Sequence, residues 1–215
     1  MAAPESTASA TASAATGSAA AEAVALVLLA AGASTRMGRP KQLLSYRGRT
    51  LLRHAAETAV ASGCTPVVLV TGAVREALAA EVAGLPVQVV HNPDWETGMA
   101  SSIRAGLAAA QPAEPAAVLI MLSDQPHLTP ELLRELVQRQ RQAQAPIAAA
   151  AYGDALGVPA VFDRALFSQL MELRGQAGAG RLIASYGPAV ERIAFPAGLL
   201  DVDTPEQYAA LLQNG

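Results

Sequence analysis

LVLLAAGASTRMGRPKQLL, residues 26–44, opens as an apolar run, breaks into small residues around Gly32, gathers Arg36, Arg39 and Lys41 about a second glycine, Gly38, and turns apolar again. An apolar run that ends in such a turn reads as a buried strand feeding a ligand-holding loop. Small side chains at Ala30, Ala31, Ala33 and Ser34, with φ-permissive glycines among them, let the backbone wrap closely and aim N–H groups inward. The cations make the guest an anion, and phosphate suits them: the Arg36 guanidinium can grip two oxygens and the Lys41 ammonium adds a point charge. One ion pair at ~4 Å contributes on the order of 4 kcal/mol before desolvation at an effective dielectric of about 20, enough to position a polyphosphate. The plainer alternative is a glycine-rich turn with solvated arginines.

Two better-known glycine motifs fail here. The Walker pattern G-x-x-x-x-G-K-[ST] puts Lys directly after its second glycine, whereas five residues separate Gly32 from Gly38 and Arg39-Pro40 precede Lys41. The dinucleotide fingerprint G-x-G-x-x-G fails because Ala31-Gly32-Ala33-Ser34 holds a single glycine at the turn.

The rest of the chain bounds what such a loop can serve. Its 215 residues, 52% hydrophobic and 15% charged, fit one globular domain with a sizeable core, expected over residues 23–215. A formal net charge of −3 argues against non-specific binding to nucleic acid or to an anionic membrane, so any anion is held locally. The single cysteine, Cys64, cannot form an internal disulfide, which makes the cytoplasm the simplest location and a structural thiol the simplest role. Residues 1–22, MAAPESTASATASAATGSAAAE, are Ala-, Ser- and Thr-rich and predict a disordered tail without the basic start and apolar centre of a signal peptide. No later apolar run reaches the roughly 18 residues of a membrane span. Of the fifteen basic residues fourteen are Arg, and the sole Lys is Lys41 in the glycine loop. An ammonium differs from a guanidinium in shape and hydration, so this one use points to a specific contact.

Apolar, β-branched runs alternate with amphipathic stretches, which predicts an α/β domain with a mostly parallel sheet. Strands are expected at 23–29, 66–71, 86–90, 116–122, 146–151 and 190–195, and helices at 51–62, 74–82, 102–110, 130–143, 164–173, 179–186 and 205–212. Two helix starts are explicit, LTPELL (128–133) and DTPEQY (203–208): Thr129 or Thr204 caps, Pro130 or Pro205 takes the first turn, and Glu131 or Glu206 meets the positive end of the dipole. Ligands of open α/β sheets gather at strand carboxyl ends, so the residues ahead of these caps matter most.

A polyphosphate site calls for a metal ion, and carboxylates occur at those places: Asp124 in MLSDQP, and Asp201 and Asp203 in LLDVDTP. Alternation along an extended segment turns both Asp201 and Asp203 to one side and Val202 to the other. A helix-start residue (Asp124) and a turn residue (Asp203) are the structural alternatives. HNPDWETGMASSIRAGL (91–107) joins a strand to a helix through Gly98, with Ser101 or Ser102 as the expected cap and an anion-accepting N-terminus. Trp95 reads as a packing residue, and His54, His91 and His127 lack metal-ligand spacing.

The pattern L-A-A-G-x-S-x-R-M-G followed by Lys resembles the signature of the MobA-like nucleotidyltransferases, most nearly the molybdenum cofactor cytidylyltransferases, and the likeness runs over nearly all of residues 24–212. It implies a Rossmann-like three-layer α/β/α fold of the nucleotide-diphospho-sugar transferase type. By the same resemblance, Ala30, Ala31, Gly32, Ala33 and Ser34 surround the nucleotide, Arg36 and Lys41 reach its phosphates, Asp124 and Asp203 hold Mg2+, and Gly98, Ser101 and Ser102 line the cleft. Arg36, Lys41 and Asp124 are then the catalytic candidates. GVPAVF (157–162) is similar to the family's G-x-P-x-x-F segment near the acceptor. GQAGAGRLI (175–183) is similar to its G-D-x-G-A-R segment but carries Gln176 in place of the acid and Gly180 between Ala179 and Arg181.

The resemblance implies transfer of CMP from CTP to the phosphate of a molybdopterin-type cofactor with release of pyrophosphate, the product serving a molybdenum hydroxylase. Ala31 and the D-Q-P at Asp124 lean toward cytidine. The alternatives are GTP or another nucleotide as donor, another phosphorylated acceptor such as a sugar phosphate, and a non-catalytic chaperone that hands the cofactor to a hydroxylase.

Overall fold

Six consecutive buried residues, Val24–Leu29, form β1 and set the architecture. A strand apolar on both faces has to be covered on both, and this one is flanked by parallel neighbours within a sheet that carries helices on either side. The computed structural model describes residues 23–176, 178–199 and 202–214. After β1 the chain makes two 3-10 turns, Thr35–Met37 and Lys41–Leu43, and a short hairpin of β2 (Ser45–Tyr46) and β3 (Arg49–Thr50). There follow α1 (Leu51–Ala61), β4 (Val67–Thr71), α2 (Arg75–Glu81), β5 (Val87–His91), α3 (Met99–Ala110), β6 (Ala117–Leu122), α4 (Pro130–Ala143), β7 (Ile147–Tyr152), β8 (Ala155–Asp163), α5 (Phe167–Glu172), α6 (Ala179–Tyr186), β9 (Val190–Ala194) and α7 (Pro205–Asn214).

The seven-stranded sheet has the order β5-β4-β1-β6-β8-β7-β9 and only β8 runs against the others. In register, Leu26 lies beside Val67 on β4 and Leu119 on β6. Val24, Leu26 and Leu28 point into a core closed by Leu52 and Ala56 of α1, Leu78 of α2 and Leu133 and Leu136 of α4. Ala25, Val27 and Leu29 point into the opposite core, closed by Ile103 and Leu107 of α3, Leu170 of α5 and Leu182 and Ile183 of α6. This is the three-layer α/β/α arrangement. From β1 the chain builds outward to β4 and β5, then returns to lay β6 on the other flank, so the connections reverse direction between β1 and β6. A crevice opens at the carboxyl ends of the strands on either side of such a reversal.

The expected elements are present, with four corrections. β8 is not among the expected strands, and it contains both Gly157 and Pro159. The ladder with β7 passes from Ala149↔Ala160 to Ala150↔Gly157, so a bulge absorbs Val158 and Pro159 and the missing N–H is never asked to pair. The β2–β3 hairpin was also unforeseen; Arg47 and Gly48 both adopt positive φ, 49° and 76°, as its two-residue turn requires. The stretch expected as a helix at 164–173 splits into a 3-10 turn, Arg164–Leu166, and α5. Finally, neither Ser101 nor Ser102 caps α3: Gly98 takes that place and Met99 opens the helix. Thr129 does cap α4, accepting from Leu132 N–H. The predicted tail at 1–22 lies outside the described residues, as does Asp201. No helix among the described residues is long and apolar enough to cross a membrane.

The glycine loop takes its shape from one buried amide. Gln42, 2% exposed, donates Nε2 to the carbonyls of Ala30 (3.1 Å) and Gly32 (2.8 Å), while its Oε1 accepts from Ser34 Oγ at 3.2 Å. Ser34, in the left-handed region at φ 56°, accepts the Lys41 N–H on the same oxygen at 3.1 Å. The loop is thereby tied across its mouth.

Two packing predictions follow from these contacts. A Cβ on Gly106 of α3 would overlap Val27 of β1 and stand 2.9 Å from Val70 Cγ2 of β4. Gly106→Val is expected to cost about 2–3 kcal/mol through overpacking, read as a lower denaturation midpoint at unchanged m; a variant as stable as the parent contradicts the close approach. Gln42→Leu strips two carbonyls of their donor at a cost of about 1–3 kcal/mol for a buried group left unsatisfied. Hydrogen exchange should quicken at the amides of residues 31–41 in particular, and uniform exchange across the chain would refute the bracing role.

Candidate active site

The crevice at the β1/β6 reversal is a cleft of about 420 Å³. Its floor is the end of β1 with the glycine loop, Leu29 to Gly32 and Ser34, and the end of β6, Leu122 to Asp124. Four charged side chains meet at one end. The Lys41 ammonium donates to Asp124 Oδ2 and, at 2.6 Å, to Asp203 Oδ1, and the Arg36 guanidinium takes the second oxygen of Asp203, Oδ2, also at 2.6 Å. These residues come from the loop after β1, the loop after β6 and the approach to α7. None is close to the others in sequence except Arg36 and Lys41.

Each is positioned by its own local structure. Lys41 follows from the Gln42 and Ser34 brace. Asp124 sits where β6 ends, and its backbone carbonyl accepts Val202 N–H at 3.2 Å, which draws the segment before α7 alongside. In that segment Val202 is buried, 1% exposed, and packs with Met37, Leu44, Tyr46 and Leu211, so its neighbour Asp203 turns to the cleft. The α7 start completes the placement. Thr204 Oγ1 accepts Gln207 N–H at 3.3 Å, and Gln207 Oε1 accepts the N–H groups of both Thr204 and Asp203 at 2.9 Å, a reciprocal capping box that fixes the Asp203 backbone.

The electrostatics favour the charged forms of Lys41 and Asp203. Burial works to lower the Lys41 pKa, but the charge and hydrogen bond of Asp124, then those of Asp203, outweigh it and raise the ammonium above its ordinary value. For Asp203, burial pushes the carboxyl up, and the hydrogen bond and charge of Lys41, followed by Arg36, overcome it and hold the pKa below the usual range. A raised lysine contributes stability below its unfolded pKa and loses it as pH climbs through the folded value. A depressed aspartate contributes above its unfolded pKa and loses it as pH falls through the folded value. Both windows lie away from neutrality, so Lys41 and Asp203 are charged at physiological pH. Asp124 Oδ1 is buried and has no hydrogen-bond partner within the protein.

The other wall of the cleft comes from the β5–α3 connection. Asn92, 3% exposed, donates Nδ2 to Ser101 Oγ (2.8 Å) and Ser102 Oγ (3.0 Å), and its Oδ1 accepts Asp94 N–H at 3.0 Å. Gly98 has φ 118°, and a Cβ there would run into the Gly175 carbonyl, which itself accepts Ala100 N–H at 3.3 Å. The 175–176 segment therefore rests directly on the start of α3 and brings Gln176 to the cleft.

Of the candidates from sequence, Ala30, Ala31, Gly32, Ser34, Arg36, Lys41, Gly98, Ser102, Asp124 and Asp203 line this cleft. Ala33 and Ser101 do not. Ser101 lies behind the wall, its hydroxyl turned to the carbonyls of Asp94 and Gly98. Arg39 also points elsewhere, stacking 5.8 Å from the ring centre of Tyr208 on α7. Trp95 lines the cleft while packing closely against Gly72. Gln42, Asn92 and Gln207 went unnoticed in the sequence. A polar residue inside the apolar run KQLL, an Asn-Pro at a strand end and a Thr three residues before a Gln were the available signals.

Comparison with known proteins identifies the family. The MobA-like NTP transferase domain matches residues 26–190. Nicotine blue oxidoreductase of Paenarthrobacter nicotinovorans is 40% identical over 86% of this chain and 95% of its own, and the purine catabolism protein PucB of Bacillus subtilis is 32% identical over 85% and 92%. Molybdenum cofactor cytidylyltransferase of Escherichia coli is 30% identical over 51% of this chain and 56% of its own. Among solved structures, Rv0371c of Mycobacterium tuberculosis superposes with a TM-score of 0.79 at 35% identity over 89% of this chain and 98% of that one; its complex with manganese gives 0.76 at 32% over 90% and 100%. A glycine loop at the tip of β1, facing two aspartates across a crevice, thus sits in a chain that belongs to the MobA-like NTP transferase family.

Proposed function

We propose that this nucleotidyltransferase-family chain moves CMP from CTP onto the phosphate of a molybdopterin-type cofactor, in the cytoplasm, for use by a molybdenum hydroxylase. The observation that carries the reading is the ammonium of the only lysine held between Asp124 and Asp203 beneath the glycine loop. Phosphoryl chemistry uses cations for the phosphates and carboxylates for a metal at one place.

The donor set suits Mg2+. Asp124 offers a buried, unpartnered carboxylate oxygen, and Asp203 offers a half-exposed carboxylate beside it. Among the described residues no group of three or more His, Cys, Asp or Glu converges. Mg2+ favours one or two carboxylates completed by phosphate oxygens and water, a set that Asp124 and Asp203 beside a triphosphate would provide. When bound it would neutralise charge on the triphosphate. Manganese in the Rv0371c complex supports a divalent ion in this fold.

The chain's own residues perform the remaining work. The loop N–H groups and the Ser34 region cradle the phosphates, and Lys41 and Arg36 supply positive charge where the leaving group becomes more negative. An oxygen of the acceptor phosphate attacks the α-phosphorus in line, forming one P–O bond. The bond to the bridging oxygen breaks with its electron pair, and pyrophosphate departs. Because the acceptor phosphate is already anionic, no side chain has to remove a proton, and alignment supplies much of the rate. The Asn92-held wall and Gln176 face the cleft where the base or the acceptor lies.

Likeness to the E. coli cytidylyltransferase supports CTP and molybdopterin. The oxidoreductase name of the 40% identical relative favours a second reading, in which the same cleft serves a redox reaction on a nucleotide-type cofactor. A carrier that binds the molybdenum cofactor without chemistry is a third. Pyrophosphate release, followed with each of four nucleoside triphosphates, Mg2+ and molybdopterin, tests all three. We expect release with CTP that depends on molybdopterin, and loss of at least about 100-fold in kcat for Lys41→Ala and Asp124→Ala, the scale set by removing one electrostatic contact to a transition state. Full activity in either variant overturns the assignment; preference for GTP overturns the base; hydride transfer from an added reduced pyridine dinucleotide to an added organic electron acceptor, without pyrophosphate, selects the second reading, and cofactor binding without pyrophosphate selects the third.

A further inference from the structure

We propose that Lys41 is a resident counter-ion that closes the aspartate pair to divalent metal until a polyphosphate draws the ammonium away, so that metal and nucleotide enter together. The inference rests on the metal role given above to Asp124 and Asp203. Of the four carboxylate oxygens at this point, three are engaged by cations: Asp124 Oδ2 and Asp203 Oδ1 by Lys41 and Asp203 Oδ2 by Arg36. The fourth, Asp124 Oδ1, is buried and bare. A divalent ion shared by the two aspartates needs oxygens at ~2.0–2.6 Å, and the place between them is where Nζ lies. The ammonium and the dication compete for the same oxygens and repel each other across a few ångströms.

The lysine backbone cannot yield, because Ser34 Oγ accepts its N–H and Gln42 ties the loop behind it. Only the four-carbon stem is free to swing. The cleft beside it is lined by Gly32 and Ser34, the loop that a triphosphate would occupy, so the phosphates offer the ammonium a second set of anionic oxygens on the near side. Transfer of Lys41 from carboxylates to phosphates bares both aspartates at the moment when the phosphates supply the remaining metal ligands. Lys41 is thus both a phosphate-binding residue and the element that sets the order of binding.

Two measurements test this at constant pH on the full chain. Mn2+ binding, read from the electron paramagnetic resonance of the free ion without nucleotide, should be at least about tenfold tighter in Lys41→Met than in the parent, since a cation facing the site is removed. Adding Asp203→Asn should abolish the gain. Equal or weaker binding in Lys41→Met, or a gain that survives Asp203→Asn, overturns the proposal. The second measurement uses the unaltered protein labelled at its lysine, whose side chain gives one NMR signal for Lys41. Tripolyphosphate in the presence of EDTA should shift that signal, and millimolar Mg2+ alone should leave it in place; displacement by Mg2+ alone, or no response to tripolyphosphate, overturns it. Neither measurement involves turnover or CTP. Failure to make pyrophosphate would sink the proposed reaction without touching these results, and the reverse also holds.

Discussion

The ammonium of Lys41, shared by two carboxylates, is the contact around which the molecule is organised. Its partners lie 83 and 162 residues further along the chain. Bringing them within hydrogen-bond reach requires β1 and β6 to be neighbours, the loop after β1 to be tied shut, and the segment before α7 to return across the mouth of the cleft. Each requirement is met by ordinary forces. Burial of apolar strands on both faces sets β1 beside β6, the Gln42 amide closes the loop, and the Val202 contact to Asp124 with the Gln207 box returns the last segment.

The supporting polar groups matter because they are buried. Gln42 and Asn92 each bond several partners, and buried amides of this kind are stable only when nearly all their donors and acceptors are used. A fully engaged amide has one favourable orientation. It therefore holds the backbone around it in one conformation. Arg36 is 71% exposed at its side chain and Lys41 only 17%, so of the two cations Lys41 is the more enclosed.

Much of this was legible from residue order. The run at 24–29, the two T-P-E helix starts and the alternation of apolar and amphipathic segments indicated the layers, because burial and capping are local and periodic. Asp124, Asp203 and Lys41 stood out by type and place. What could not be read was long-range or exceptional. β8 carries Pro159 at a bulge, and the cap before α3 has to be a glycine because the Gly175 carbonyl lies where a Cβ of Gly98 would stand, a contact between residues remote in sequence. The serines of that helix carried the composition of a cap, yet Asn92 claims their hydroxyls for the strand end. The direction of the Arg36 guanidinium, toward a carboxylate, was likewise set by a residue far along the chain.

A chain with fourteen arginines and one lysine has a single ε-amine, and it stands inside the cleft. Reagents that condense with primary amines, such as aldehydes, active esters and phosphorylated carbonyl compounds, have no other side chain of that class to find. The carboxylates that hold the ammonium also keep it protonated and non-nucleophilic, so its chemical reactivity is tied to whatever loosens that grip. The covalent reactivity of that one nitrogen therefore varies with how firmly Asp124 and Asp203 hold it.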